Sequence, residues 1–246
     1  MYQFFVSPEQ INDKSVIING TDVNHIKNVL RMKPGEEIAV SNGADNKEYR
    51  CVIESLGDDS IKCTLLFVKE DGLELPSKVY LFQGLPKSDK MELIIQKAVE
   101  LGVYEIIPVE TKRAVVKLDA KKAASKLTRW NTIAEAAAKQ SKRRVIPKVM
   151  NPMSFRQAVQ YAENMDVKLI PYELSEGMEE TKRLIEGVKP GQSVAVFIGP
   201  EGGFAEEEIT LAKEKGILPI TLGKRILRTE TAGFTVLSWL MYHLET

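Results

Sequence analysis

Apolar and polar residues change their spacing partway along this chain. Over roughly the first 70 positions the apolar residues alternate with polar ones, as half-buried strands require. Tyr49, Cys51 and Ile53 form one such run, and Ile61, Cys63, Leu65 and Phe67 form the next, after Gly57-Asp58-Asp59. Asn42-Gly43 is a hairpin signal. A short helix from about Asp22 to Leu30, capped by Thr21, interrupts the strands. Short strands at this spacing predict a small barrel. The stretch Glu70-Asp71-Gly72-Leu73-Glu74-Leu75-Pro76-Ser77 is acidic, ends in Pro and Ser, and reads as a linker. Domains of residues 1-72 and 73-246 are therefore expected.

Beyond the linker the pattern becomes strand, helix, strand. Val79 to Gln83 is apolar and β-prone. From Asp89 to Leu101, Met91, Ile94, Ile95, Ala98 and Leu101 share one helical face. Asp89 and Glu92 have capping-box spacing, and Gly102 stands where a helix C′ residue belongs. Tyr104 to Val109 is the next strand, and a long helix is expected from Asp119 to Gln140. Strands follow at Val167 to Pro171, Ser193 to Ile198 and Leu218 to Leu222. Helices lie between them at about Glu176 to Glu186 and Ala205 to Lys215, and the last runs from about Glu230 to Leu244. Such alternation predicts an α/β fold with a mostly parallel sheet covered on both faces.

Composition narrows the class. The chain has 246 residues, 43% hydrophobic and 28% charged, which suits a folded globular protein rather than a disordered one. Cys51 and Cys63 are too few for a disulfide framework, so reduced core thiols are expected. With only His25 and His243, no metal centre is expected. The start Met1-Tyr-Gln-Phe-Phe-Val lacks a basic leader, and no stretch is long enough to span a membrane, so a soluble cytoplasmic protein is expected. Net charge is zero, but its distribution is uneven. Between Lys112 and Lys148 there are twelve Lys or Arg and two acids, Asp119 and Glu135. That asymmetry suits either a polyanion such as RNA or a solvated helix surface.

In open α/β sheets, ligands bind beyond the carboxyl ends of the strands. Two ends stand out here. The buried strand Ser193 to Ile198 runs into Gly199-Pro200-Glu201-Gly202-Gly203, where glycines let backbone approach a ligand. Glu206, Glu207 and Glu208 then open the next helix and would repel an anion. There is no phosphate-binding glycine motif, so a neutral or cationic ligand fits better. The second end is Leu222-Gly-Lys-Arg-Ile-Leu-Arg-Thr-Glu-Thr-Ala232. It places Lys224, Arg225 and Arg228 around the apolar pair Ile226 and Leu227, which suits a planar ring beside an anionic partner. The helix that follows is apolar almost all round, so it is buried in its own core or against another subunit.

IGPEGGF (Ile198 to Phe204) and LGKRILRTETA (Leu222 to Ala232) resemble the paired signatures of the ribosomal RNA small subunit methyltransferase E family, uridine-N3 methyltransferases of 16S rRNA in the SPOUT superfamily. HIKNVLRMKPGE (His25 to Glu36), GLPKSDKMELIIQKAVELGV (Gly84 to Val103) and Gln140-Ser141 with Arg143 and Pro147 are similar to its other motifs, so the likeness spans the chain. The resemblance implies an N-terminal PUA-like β-barrel and a SPOUT-type α/β knot, a deep trefoil that periodicity cannot reveal. It implies S-adenosylmethionine as cofactor, no metal, 16S rRNA of the small ribosomal subunit as partner, and a homodimer. It implies a cofactor site built from Ile198, Gly199, Pro200, Gly202, Leu222, Gly223, Ile226 and Leu227. Arg31, Lys87, Arg113 and Arg143 would bind RNA. Arg228 is the candidate to stabilise negative charge on uracil, and Glu201 or Glu230 to take the N3 proton. The chain departs from the family pattern at Gln3, where an Arg is expected before the aromatic pair, and at Lys139, where an acid often stands. Another methylation, such as ribose 2′-O, and a non-catalytic RNA-binding role are the alternatives.

Overall fold

The computed structural model describes residues 1–70, 72–172 and 177–245. Asp71 of the linker, Glu176 at the expected helix start, and Thr246 lie outside the described residues. The chain forms two units, one of Met1–Glu74 with Ala138–Ile146 and one of Leu75–Ala137 with Pro147–Thr246. Residues 138–146 thus join the first unit, although they follow the linker in sequence.

In the first unit, β1 (Gln3–Phe5), β2 (Ser15–Asn19), β3 (Glu37–Ser41), β4 (Glu48–Leu56) and β5 (Ser60–Lys69) form one curled sheet in the order β1-β3-β4-β5-β2. Its inner face is the alternation read from sequence: Val16, Ile18, Ile38, Val40, Cys51, Ile53, Ile61 and Cys63 are buried together. Burial pushes the Cys51 thiol up to about 12, and burial does the same to Cys63, up to about 11. Both thiols are free. Phe67 breaks the expected alternation. The register of β4 on β5 shifts between Arg50 and Cys51, and beyond that bulge Leu66, Phe67 and Val68 are all exposed. The Asn42-Gly43 hairpin is longer than a two-residue turn, because the Asn42 side chain accepts the amides of Ala44 and Asp45 at 3.0 and 2.9 Å. Helix α1 (Thr21–Asn24) is capped by Gly20 rather than Thr21 and continues as a π-helical turn over His25–Val29.

Six of the twelve cations in the basic window meet acids from elsewhere in the chain. Lys139 meets Asp22 at 3.1 Å, Arg143 is bound by Glu74, and Arg144 by Glu48. In the second unit Lys112 pairs with Glu207, Lys126 with Asp89 and Arg129 with Glu92. Much of the asymmetry seen in sequence is therefore internal pairing. Burial pushes the Glu48 carboxyl up, but the guanidiniums of Arg144 and Arg50 outweigh it and hold it below the usual glutamate range. Folded Glu48 then binds fewer protons than unfolded Glu48. Its stabilisation is complete above the ordinary glutamate range and is lost as pH falls through the lowered folded value. Urea unfolding at successively lower pH is expected to show this loss, and Glu48→Gln to remove that part of the pH dependence. An unaltered acid profile in the variant would refute it.

The second unit is built from β6 (Lys78–Gly84), α2 (Lys90–Glu100), β7 (Glu105–Glu110), α3 (Ala120–Gln140), β8 (Lys148–Val149), β9 (Met153–Ser154), α4 (Phe155–Tyr161), β10 (Val167–Pro171), α5 (Met178–Glu186), β11 (Ser193–Ile198), α6 (Glu206–Glu214), β12 (Leu218–Ile220) and α7 (Thr229–Leu244). The last three residues of α3 belong with the first unit. The sheet is parallel, in the order β12-β10-β11-β6-β7-β8, and β9 pairs with β7. Helix α2 buries Met91, Ile94, Ile95 and Ala98, as the spacing predicts, and stops before Gly102 at φ +86°. The expected capping box does not form, because Glu92 turns to Arg129 instead. One sheet face is filled by Phe82 and Phe197, stacked 4.3 Å apart, with Phe155 and Phe204 beyond them. β12 lies at the sheet edge, yet the residue that opens α7, Thr229, bonds to groups at the ends of β6 and β11. This inward return of the chain accords with the trefoil threading that the resemblance implies, in a SPOUT-type fold.

Candidate active site at the carboxyl ends of the parallel strands

β6 and β11 end side by side, with Gln83 opposite Ile198. Both then turn sharply. Gly84 lies so near Pro200 that a Cβ would stand 2.6 Å from the Pro200 ring and 2.7 Å from its nitrogen. Only glycine permits that approach. Gly199 is hemmed in the same way, 3.1 Å from the Gly203 backbone. Gly202 is supported from behind by Arg113, whose Nη1 donates to the Gly202 carbonyl at 3.2 Å.

The second loop is tied to the first through Thr229. Its hydroxyl donates to the Gly199 carbonyl at 2.5 Å and accepts from Gln83 Nε2 at 2.9 Å. Gln83 is fully buried, and its Oε1 has no hydrogen-bond partner. At the other end of the loop, Thr181 Oγ1 accepts the Thr221 amide at 3.0 Å and donates to the Thr221 carbonyl at 3.2 Å. Between these anchors the chain is open. Among the described residues, the amides of Lys224 through Leu227 make no hydrogen bond within the chain. Gly223 takes φ +100°. Leu222 and Leu227 are half-buried, while Ile226 is 89% exposed. The apolar pair is therefore not a closed wall in the single chain. Arg228 caps α7 with its backbone and leaves its exposed guanidinium without an ion pair among the described residues.

Lys90 links the two candidate carboxylates. Its Nζ lies 3.0 Å from Glu201 Oε1 and 3.4 Å from Glu230 Oε2. The Lys87 backbone amide also donates to both Glu201 oxygens, at 3.2 and 3.3 Å. Burial pushes the Glu201 carboxyl up, but the Lys90 ammonium and the amides of Glu201 and Lys87 hold it below the ordinary range. The hydrogen bond from Lys90 to Glu201, aided by the charge of Glu230, raises the Lys90 ammonium above its usual value. Glu201 is thus ionised at neutral pH. Glu206, Glu207 and Glu208 open α6, where Glu207 pairs with Lys112 and Glu208 accepts the amides of Lys112 and Ala205.

The structure brings Glu201, Glu230 and Lys87 together and places Ile198, Gly199, Pro200 and Gly202 on the adjoining loop. Sequence reading missed Lys90, Gln83 and Thr229. Lys90 lies within the GLPKSDKMEL segment, but nothing in its neighbours announces two acidic partners far along the chain. Of the expected RNA contacts, Arg31 is exposed, at the strained angle φ +54°. Lys87 and Arg113 are exposed as well. Arg143 is a correction. It is 5% exposed and its guanidinium is bound to Glu74, so it cannot present a free fork to phosphate. Gln3, which replaces the expected Arg, donates to the Arg143 carbonyl at 2.6 Å. Its amide therefore also serves the internal structure.

Residues 73–241 match the model of an RNA methyltransferase domain, and residues 18–66 match that of an RNA methyltransferase PUA domain. The chain is 39% identical to the ribosomal RNA small subunit methyltransferase E of Bacillus subtilis (strain 168), over 100% of this chain and 98% of that one. Among solved structures it is similar to a putative methyltransferase from Legionella pneumophila in complex with the bound cofactor SAM, at 35% identity and TM-score 0.84 over 98% of this chain and 97% of that one. It is also similar to the ribosomal RNA small subunit methyltransferase E of Neisseria gonorrhoeae bound to S-adenosyl methionine, at 31% identity, with the same score and coverage. Glycine loops, a parallel sheet with an inward-returning chain, and full-length likeness agree: the chain belongs to the ribosomal RNA small subunit methyltransferase E family of RNA methyltransferases.

Proposed function

We propose that this protein transfers a methyl group from S-adenosylmethionine to N3 of a uridine in 16S rRNA, within the assembled small ribosomal subunit. The observation that carries the reading is a pair of glycine loops at the strand ends, tied by Thr229 and open between Lys224 and Leu227. That donor set fits the cofactor. Free amides and carbonyls suit adenosine, carboxylates suit a sulfonium cation, and the orphaned Gln83 Oε1 marks a buried acceptor next to the loops. Ile198, Gly199, Pro200, Gly202, Leu222, Gly223, Ile226 and Leu227 would hold it. When bound, the cofactor supplies an electrophilic methyl group.

The chain's own task is to align uracil, relieve N3 of its proton, and stabilise the negative charge that then spreads over O2 and O4. Arg228 is placed for the last role, because its guanidinium is exposed and unpaired beside the loop. Arg31, Lys87 and Arg113 would position RNA, with residues 1-72 as the RNA-binding barrel and 73-246 as the methyltransferase domain. Among the described residues no helix is long and apolar enough to cross a membrane. A homodimer is supported by α7. It keeps Tyr242 73% exposed and, with Met178 of α5 and its own Trp239, borders a groove of about 500 Å³.

The test is methylation of intact small subunits and of naked rRNA, with the product nucleoside identified by mass spectrometry. We expect 3-methyluridine, formed on the subunit. A 2′-O-methylated nucleoside, or no cofactor binding by the folded protein, would reject the reading. In the same assay Arg228→Ala is expected to lower turnover by about a hundredfold, with cofactor binding retained in calorimetry. Unchanged turnover would remove Arg228 from the mechanism.

A further inference from the structure

Two carboxylates face one ammonium at this site, and they are held very differently. Glu201 receives Lys90 Nζ at 3.0 Å and the Lys87 amide on both oxygens. Its lone pairs are engaged by donors from the α2 end of the site. Glu230, in the first turn of α7, has a single partner among the described residues, the same Lys90 at 3.4 Å, and its Oε2 accepts no well-formed hydrogen bond. It is mostly buried, with a side chain 16% exposed, and lies two residues after Arg228. The charged groups that reach it are Lys90 from α2 and, through Lys90, Glu201 from the loop after β11. Arg228 precedes it on its own chain, while Gln83 of β6 and Ile198 of β11 are uncharged.

We infer that Glu230 is the group that accepts the uracil N3 proton, and that Lys90, 3.0 Å from Glu201 and 3.4 Å from Glu230, is a positioning residue that holds the two carboxylates side by side. The inference rests on the uridine-N3 reading above. Glu201 fills the other half of the clamp. A carboxylate already accepting from an ammonium and a main-chain amide must break those bonds to take a further proton, which weakens it as a base. Glu230 needs to give up only one long contact. In the step itself the N3–H bond breaks and its proton passes to a Glu230 oxygen. The N3 electron pair forms the new N–CH3 bond. The S–CH3 bond of the sulfonium donor breaks, and its electron pair stays on sulfur as a thioether.

The pH profile of single-turnover methylation separates the two carboxylates. The wild-type rate should rise with pH and level off to a plateau. Glu230→Gln should lower the neutral-pH rate by about a hundredfold or more. Its rate should then keep climbing with pH, because hydroxide takes the proton, while calorimetry shows cofactor affinity close to wild type. Glu201→Gln should lower the rate too, but keep the plateau. Lys90→Met, which removes the contact shared by the two carboxylates, should lower the single-turnover rate with cofactor affinity close to wild type, and Lys90→Arg should restore it. Glu230→Gln with a wild-type profile, or Glu201→Gln as the variant that loses its plateau, would overturn the assignment. So would a wild-type rate in Lys90→Met. The nucleoside product of the wild type is read in the same samples. A product other than 3-methyluridine would remove the underlying reading, whereas 3-methyluridine with a wild-type Glu230→Gln enzyme would remove only this one.

Discussion

Replacing Glu74 by alanine is expected to destabilise the N-terminal unit by about 3–5 kcal/mol. Glu74 accepts from Arg143 Nε at 3.3 and 3.0 Å and from Arg143 Nη2, and its Oε1 also takes the amides of Arg144 and Val145 at 3.0 and 3.2 Å. The two side chains are only 14% and 6% exposed. Removing the carboxylate takes its bonds away from the buried Arg143 guanidinium and from the amides of Arg144 and Val145. The desolvation cost of these groups remains, while the acceptor that offset it is gone. The size of the loss is therefore set by the orphaned groups more than by the pair. A double substitution shows this directly. Glu74→Leu with Arg143→Leu removes both charges together and should recover part of the loss, although the two amides stay unpaired. Urea unfolding of the single and double variants measures it. A single-variant loss below about 1 kcal/mol, the range of exposed pairs, would show that water reaches this site.

Phe197→Ala is expected to cost about 3–5 kcal/mol, from lost transfer energy plus the cavity left behind. Phe197 is fully buried on β11, stacked on Phe82 at 4.3 Å with an interplanar angle of 8°, and edge-on to Phe155 at 6.1 Å. The stack joins neighbouring strands, since Phe197 and Phe82 are register partners. The next residues along β11 are Ile198 and Gly199, where the first glycine loop begins. A cavity beneath that strand end should loosen the Gly199 carbonyl that Thr229 holds. We therefore expect weaker binding of S-adenosylmethionine as well as a lower unfolding midpoint. Phe197→Leu, which fills more of the space, should lose clearly less of both. Equal losses for Ala and Leu would mean that ring stacking, not volume, governs this part of the core.

Some of this site was legible in the sequence for stated reasons. A buried strand that runs straight into Gly199-Pro200-Glu201-Gly202-Gly203 must turn sharply. Gly84 stands where any side chain would collide with Pro200, and Gly199 where one would crowd the Gly203 backbone. Three glutamates opening α6 spoke against phosphate. The charges were less legible. Arg143 and Arg113 look alike along the chain, yet one is buried on Glu74 and the other supports Gly202 from an exposed position. Lys90 sits at a helix start like any lysine, and only folding brings Glu201 and Glu230 to it. Phe67 continues a clean alternation in sequence, and a bulge between Arg50 and Cys51 turns it out to solvent.

By itself, then, the sequence determined the local features: strand and helix periods, the glycine turns, the all-round apolar last helix, and motifs specific enough to identify a family. These depend on backbone sterics and on the side-chain period, which act over a few residues. The tertiary structure decided which charges are paired, which arginine is buried, how residues 138–146 come to join the first unit, and that Lys90 meets both Glu201 and Glu230 at the strand ends. Those outcomes depend on contacts between residues about a hundred positions apart, and on the desolvation of charges when they meet. Neither quantity exists until the chain has crossed back on itself.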